Sequence, residues 1–252
     1  MKPVQRQAQI AELVSRRGFV GVDALAVQFG VSAETIRRDL SELAGRDLLT
    51  KTHGGAKRPQ RLAREGSFDE RLAEDMDAKR RIAAKLVELI SPGDTLFIDT
   101  GSTTLACAME LALLRDLTVI TNSTRIAHVF AAGAGAADVH LLGGQYSARN
   151  EQVTGTLAMA QIAAYHADCA IIGMAGINVE LGLMDADYHE ACIARAMIQA
   201  SEKLFAVAHD AKFTRRAAHI VCALDEIDAL VSDAPPGSVL REACRMRAVE
   251  LY

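Results

Sequence analysis

The chain has 252 residues, half of them hydrophobic and 24% charged, with five cysteines and a formal net charge of −4. That composition excludes wholesale disorder and gives enough apolar material for one large domain or two ordinary ones. No run approaches the ~20 apolar residues of a membrane span, the opening residues lack the apolar core of a signal peptide, and an odd cysteine count without a CxxC pair points away from a disulfide framework. A cytoplasmic protein is expected, without metal or cofactor.

The charge is unevenly spread. Residues 1–61 carry 11 Lys+Arg against 6 Asp+Glu, a balance of +5, which leaves 17 basic and 26 acidic residues, a balance of −9, for the remainder. A basic head on an acidic body is the asymmetry of a small module that meets a polyanion.

In chain order, Pro3 to Arg17 reads as a helix with Ile10, Leu13 and Val14 on one face, stopped by Gly18. Phe19 and Val20 lead into a second helix, Val22 to Phe29. Gly30 supplies a tight turn, and Ser32 caps a third helix, Ala33 to Ala44. There Ile36, Leu40 and Leu43 form the buried stripe. Glu34, Thr35, Arg37, Arg38 and Ser41 form the opposite face. This is a helix-turn-helix layout, whose second helix enters the major groove by its N-terminus. Ser32, Thr35, Arg37 and Arg38 are the expected DNA contacts, since arginine pairs bidentately with phosphate or guanine edges. Asp39 is expected to orient an arginine, because phosphate would repel it. Asp47 to Thr52 alternates like a strand, His53-Gly54-Gly55 turns, and Ala56-Lys57-Arg58 returns as a small wing. Lys51, His53, Lys57 and Arg58 are its candidate backbone contacts.

Val31-Ser32-Ala33-Glu34-Thr35-Ile36-Arg37-Arg38-Asp39-Leu40, followed by His53-Gly54-Gly55-Ala56, resembles the DeoR family of bacterial transcriptional regulators. The resemblance implies a winged helix-turn-helix head that binds operator DNA and a C-terminal sensor of phosphorylated sugars.

Lys57 to Lys79 is polar and charged. Residues 59–77 read as a linker, helical after Ser67, and as the candidate coupling element between a 1–58 head and a 78–252 body. Ala78 to Ile90 is again helical. Short apolar strands then recur: Thr95–Ile98, Leu117–Ile120, Val139–Leu142, Cys169–Ile172, Leu204–Ala208, His219–Cys222 and Ala229–Val231. Most are followed by helical segments. The fold class is therefore α/β, a mostly parallel sheet covered on both faces, which binds ligands beyond the carboxyl ends of its strands.

Those ends carry Asp99, Gly101-Ser102-Thr103-Thr104, Asn122, Gly143-Gly144 and, after the fifth strand, Lys212. The Gly101–Thr104 turn follows a strand and opens a helix, so its N–H groups and hydroxyls can converge on an anion. By itself such a turn is more often only a helix cap. It is neither a Walker motif nor GxGxxG, which disfavours nucleoside triphosphates and dinucleotides. Lys212 is a candidate cation for phosphate.

The same blocks, in order, are similar to the DeoR-type sensor. They imply a fold like ribose-5-phosphate isomerase and an effector held by Gly101–Thr104, Asn122, Gly143-Gly144 and Lys212. Asp187-Tyr188-His189-Glu190 departs from the commoner pattern and looks like the glycerol-3-phosphate regulon repressor branch of the family, which makes glycerol 3-phosphate the best single effector expectation among phosphorylated sugars and polyols. Asp187, His189 and Glu190 can bind polyol hydroxyls, or Asp187 can cap the next helix with Glu190 completing a capping box. The two roles are compatible. A homodimer or homotetramer would pair two heads on a repeated operator. The rival from another class is a sugar-phosphate isomerase with an attached head, drafting Asp99, Asp185, Glu190 and Lys212. Nothing in their spacing demands it.

Overall fold

A computed structural model describes residues 3–45, 48–57, 65–213 and 215–252. The chain divides into two compact units, Met1–Arg61 and Leu62–Tyr252.

The first unit contains α1 (Pro3–Arg17), β1 (Phe19–Gly21), α2 (Val22–Phe29), α3 (Ala33–Gly45), β2 (Thr50–Thr52) and β3 (Gly55–Lys57). The apolar stripes of the three helices meet in a small core in which Ile10, Val14, Leu25, Ile36, Leu40 and Leu43 are fully or almost fully buried. Gly30 makes the turn between α2 and α3. It sits at φ 64°, and its N–H returns to the end of α2, a left-handed cap that glycine adopts without strain.

One element departs from expectation. Phe19-Val20 does not enter the second helix but forms a strand, so the wing sheet is three-stranded in the order β1-β3-β2. A three-residue strand has no periodicity of its own. Its existence depends on the partner that Gly55 permits, since a Cβ there would lie 2.5 Å from the Val20 carbonyl oxygen.

The second unit begins with α4 (Phe68–Ala73) and α5 (Met76–Val87). Residues 65–77, expected as linker, pack onto this unit: Phe68 is buried with Ile82, Leu105 and Ile126. Ser67 and Glu70 cap α4 reciprocally, Glu70 N–H donating to Ser67 Oγ at 3.3 Å and Ser67 N–H to Glu70 Oε2 at 2.8 Å.

The remaining strands and helices follow as β4 (Thr95–Ile98), α6 (Ser102–Leu111), β5 (Thr118–Thr121), α7 (Thr124–Ala132), β6 (Asp138–Leu141), the hairpin β7 (Gln145–Ser147) and β8 (Gln152–Thr154), α8 (Thr156–Ile162), β9 (Ala167–Ile172), β10 (Gly176–Asn178), β11 (Gly182–Asp185), α9 (Tyr188–Gln199), β12 (Ser201–Val207), β13 (His219–Cys222), β14 (Ala229–Val231), α10 (Ser238–Met246) and β15 (Glu250–Leu251). Seven strands form one sheet, ordered β15-β14-β12-β9-β4-β5-β6, and every neighbouring pair is parallel. Alternate strand residues serve opposite faces. Leu96 and Ile98 pack with α5, α6 and α7, whereas Phe97 faces the layer of α8, α9 and α10. From β4 the chain proceeds outward to β5 and β6, then returns to β9 on the other side of β4. This reversal opens a crevice at the carboxyl ends of β4 and β9.

The seventh strand, β15, was not expected. Conversely, His219–Cys222 does not belong to the parallel sheet. As β13 it pairs antiparallel with β11 in a separate three-stranded sheet with β10. A four-residue apolar run names no partner, so its sheet is decided by the chain around it. Among the described residues, no helix is long and apolar enough to cross a membrane.

Candidate functional site

In the head, α3 turns its polar face outward. Ser32 Oγ caps the helix by accepting from Thr35 N–H at 3.2 Å and lies 2.9 Å from Thr35 Oγ1. Arg37 and Arg38 are exposed and lie 3.4 and 3.9 Å from Glu34. Lys51, on β2, donates to Ser41 Oγ at 2.8 Å, which brings the wing's cation beside the recognition helix. Exposed His53 and Gly54 form the hairpin tip, and Lys57 lies on β3. Arg58 lies outside the described residues. Asp39 does engage an arginine, but one on a different helix. Its buried carboxylate accepts from Arg6 Nε at 2.6 Å and from Gln7 Nε2 at 3.1 Å, fastening α1 to the inner side of α3.

In the body, two adjoining cavities of about 180 and 560 Å³ lie over the crevice and share Glu65, Gly66, Arg71, Asp185 and Glu190. The smaller is lined by Gly101, Ser102 and Thr103 at the N-terminus of α6, by Gly173 after β9, and by Lys79, His209 and Lys212. The larger adds Asn150, Gln152, Asp187, His189 and the hairpin β7–β8. The expected residues Gly101, Ser102, Thr103, Lys212, Glu190, Asp187 and His189 are thus brought to one place.

Five others are not among the lining residues, and each has a structural occupation instead. Asp99 is buried below the floor, where its Oδ1 accepts from Gly173 N–H at 3.1 Å. Thr104 is turned away from the cavity and donates its hydroxyl to the Asp99 and Gly101 carbonyls. Asn122 donates to Gln152 Oε1 at 3.3 Å and to the Val153 carbonyl. Gly143 N–H donates to Gln161 Oε1, and Gly144 packs against the Thr154 carbonyl. These residues shape the site from behind.

The polar lining is one connected network. Glu65 closes on Lys212 Nζ at 2.6 Å and on Arg71 at 2.9 Å. Arg71 also donates to Asn150 Oδ1 at 3.1 Å and lies over the Phe68 ring, 5.4 Å from its centroid. Asn150 and Gln152 both donate to Glu190 Oε1, the latter at 2.6 Å. Asp187 caps α9 through His189 and Glu190 N–H groups. Glu190 does not complete a capping box, because its carboxyl turns into the cavity toward those amides.

Burial, reinforced by Asp185, pushes Glu190 up to about 7, while Arg71 and the two amides oppose the shift. Burial likewise pushes Asp185 up to about 6, with Glu65 adding to it and the Asp187 N–H opposing it. Burial also holds Asp99 well above the carboxylate range. His209 is held below its usual value by burial and by Lys212. Lys79, almost fully buried, is lowered by burial, and its ammonium donates to the carbonyls of Arg71 and Glu74.

Sequence reasoning missed Glu65, Arg71 and Lys79. The signal was present: Ser67-Phe68-Asp69-Glu70 is a capping-box pattern that opens α4. Among the described residues, no group of three or more His, Cys, Asp or Glu is disposed to hold a metal.

A winged helix-turn-helix joined to a ligand-sensing α/β domain defines a DNA-binding transcriptional regulator. Residues 6–61 match the DeoR-like helix-turn-helix domain and residues 74–234 the DeoR C terminal sensor domain. The chain belongs to the DeoR family of transcriptional repressors. It is 36% identical over 236 residues to the glycerol-3-phosphate regulon repressor of Escherichia coli strain K12, covering 94% of this chain and 93% of that one. It is 33% identical to the transcriptional repressor AccR of Agrobacterium fabrum, covering 93% and 91% respectively. Among solved structures, ribose 5-phosphate isomerase A from Methanocaldococcus jannaschii aligns with 56% of each chain at 16% identity and a TM-score of 0.41. With its relatives named as repressors, the protein is a regulator rather than an enzyme.

Proposed function

We propose that this repressor is released from its operator by a phosphorylated polyol or sugar bound in the body cavities, with glycerol 3-phosphate the foremost candidate. One observation carries the reading: the adjoining cavities combine cations with hydroxyl-binding groups. Lys212 and the residues that open α6 line the smaller, Asn150 and Gln152 the larger, and Arg71, Asp185 and Glu190 line both. The cations and the helix start suit a phosphate. The carboxyls and amides suit hydroxyls, which donate to carboxylates and exchange hydrogen bonds with amides. The name of the E. coli relative supports a three-carbon polyol phosphate.

On the DNA side, Ser32, Thr35, Arg37 and Arg38 are the proposed groove contacts. Lys51, His53, Lys57 and Arg58 are the proposed backbone contacts, in a homodimer or homotetramer. Ligand changes operator affinity only by binding two arrangements of the protein unequally.

The test is operator binding titrated with glycerol 3-phosphate, glycerol and a panel of sugar phosphates. Release by glycerol 3-phosphate and not by glycerol is expected. Release by glycerol alone would remove the phosphate from the reading.

A further inference from the structure

We infer that Glu65 is a built-in occupant of the anion subsite, and that a ligand phosphate takes its place. This rests on the phosphate reading above and adds its regulation. The carboxylate of Glu65 sits between the two cations that a phosphate would need, 2.6 Å from Lys212 Nζ and 2.9 Å from Arg71. All three side chains are largely buried, Lys212 at 10%, Arg71 at 13% and Glu65 at 12% exposure. Buried cations cannot be left unpaired without a large penalty, so Lys212 and Arg71 require an anion beside them, and the chain supplies one in Glu65.

Charge and geometry allow an exchange. A phosphate oxygen accepts from an ammonium and a guanidinium in the manner of a carboxylate oxygen, and its further oxygens reach donors that Glu65 leaves unused. The Nε of Arg71 is buried and has no partner among the described residues. Gly101, Ser102 and Thr103, which open α6, line the same cavity. Glu65 also belongs to the wall common to the two cavities, so its departure would join the phosphate end to the hydroxyl-binding end.

The position of Glu65 in the chain gives the exchange a consequence. It stands four residues beyond Arg61, where the first unit ends. While Glu65 occupies the subsite, the start of the second unit is tied to the carboxyl ends of the sheet. When phosphate occupies it, that tie is released. Ligand binding and release of Glu65 are then one event, which is the differential state that regulation needs.

The experiment measures binding of glycerol 3-phosphate and inorganic phosphate by calorimetry, using the full chain, Glu65→Gln and Lys212→Met. Glu65→Gln keeps the shape and removes the competing charge, so both anions are expected to bind about tenfold tighter than to the unaltered chain. Its operator affinity without ligand should move toward the ligand-bound value. Equal anion affinity in Glu65→Gln and the unaltered chain, with Lys212→Met impaired, overturns the inference and leaves the phosphate site standing. No binding of either anion to the unaltered chain or to Glu65→Gln, or undiminished binding to Lys212→Met, overturns the site itself and the inference with it. Hydrogen exchange on the unaltered chain needs no variant to fold: the peptide over residues 65–70 should lose protection on adding glycerol 3-phosphate. Increased protection there would mean that Glu65 stays in place.

Discussion

In the head, Arg37 and Arg38 stand on α3 with side chains 58% and 81% exposed, loosely attended by Glu34. In the body, Arg71 and Lys212 are buried and both close on Glu65. Both sets of cations are suited to phosphate, and their surroundings differ for a physical reason. Exposed cations remain hydrated and lose little by standing unpaired, and they attract a polyanion at long range in a salt-dependent way. Buried cations have given up their water and must be paired at all times. A polyanion surface can therefore stay open, whereas buried cations need a carboxylate beside them.

The contrast can be pressed hardest inside the head itself, which also contains a buried pair. Asp39→Ala leaves Arg6 as an uncompensated buried cation and should destabilise the head by about 3–5 kcal/mol, read from urea denaturation of the full chain. A loss below about 1 kcal/mol would class the pair with surface bridges. Next come the exposed arginines. Arg37→Ala or Arg38→Ala should leave the melting temperature unchanged yet weaken operator binding by about 1–3 kcal/mol at fixed salt, for whichever arginine makes a bidentate base contact. Full affinity in both variants would show that a different face meets DNA.

A further effect concerns pH. The folded body raises Glu190 to about 7 and Asp185 to about 6, so it holds protons that the unfolded chain has already released. Stability should therefore fall, not rise, as pH increases from about 4 to about 7, each unit of upward shift costing about 1.4 kcal/mol. Glu190→Gln should flatten much of that slope in denaturation curves taken across the range, and an unchanged slope would assign it elsewhere. The smallest expected effect is Ser67→Ala, which removes one half of the α4 capping box and should cost about 0.5–1 kcal/mol. A local rise in hydrogen exchange over 67–71 would register it.

The helix-turn-helix was legible because its signals are local: apolar spacing in three helices, glycine at the turn, serine at the cap. The parallel strands were legible as apolar runs ending in small and polar residues. Half of the lining of the body cavities was visible in the same way, through Gly101–Thr103, Lys212 and the Asp187–Glu190 run. The other half was not, because Glu65, Arg71 and Lys79 lie in a polar stretch that resembles a linker, and Arg71 and Glu65 find partners 79 and 147 positions away, at Asn150 and Lys212. Asn122 and Gly143-Gly144 erred in the other direction. They stand at strand ends, as ligand contacts do, yet they do not line the cavities, and Asn122 Nδ2 is engaged by Gln152 and Gly143 N–H by Gln161.

Local chemistry was therefore enough to establish a basic DNA-binding head and an α/β body, since propensity, periodicity and capping act over a few residues. Long-range packing alone decided that Phe19-Val20 is a strand, that His219–Cys222 leaves the main sheet, and that Asp39 pairs with Arg6. It also decided that the cations of the body are closed by Glu65. A strand takes its partner, and a buried charge its counter-ion, from whatever the fold brings beside it, and no local pattern encodes that neighbour.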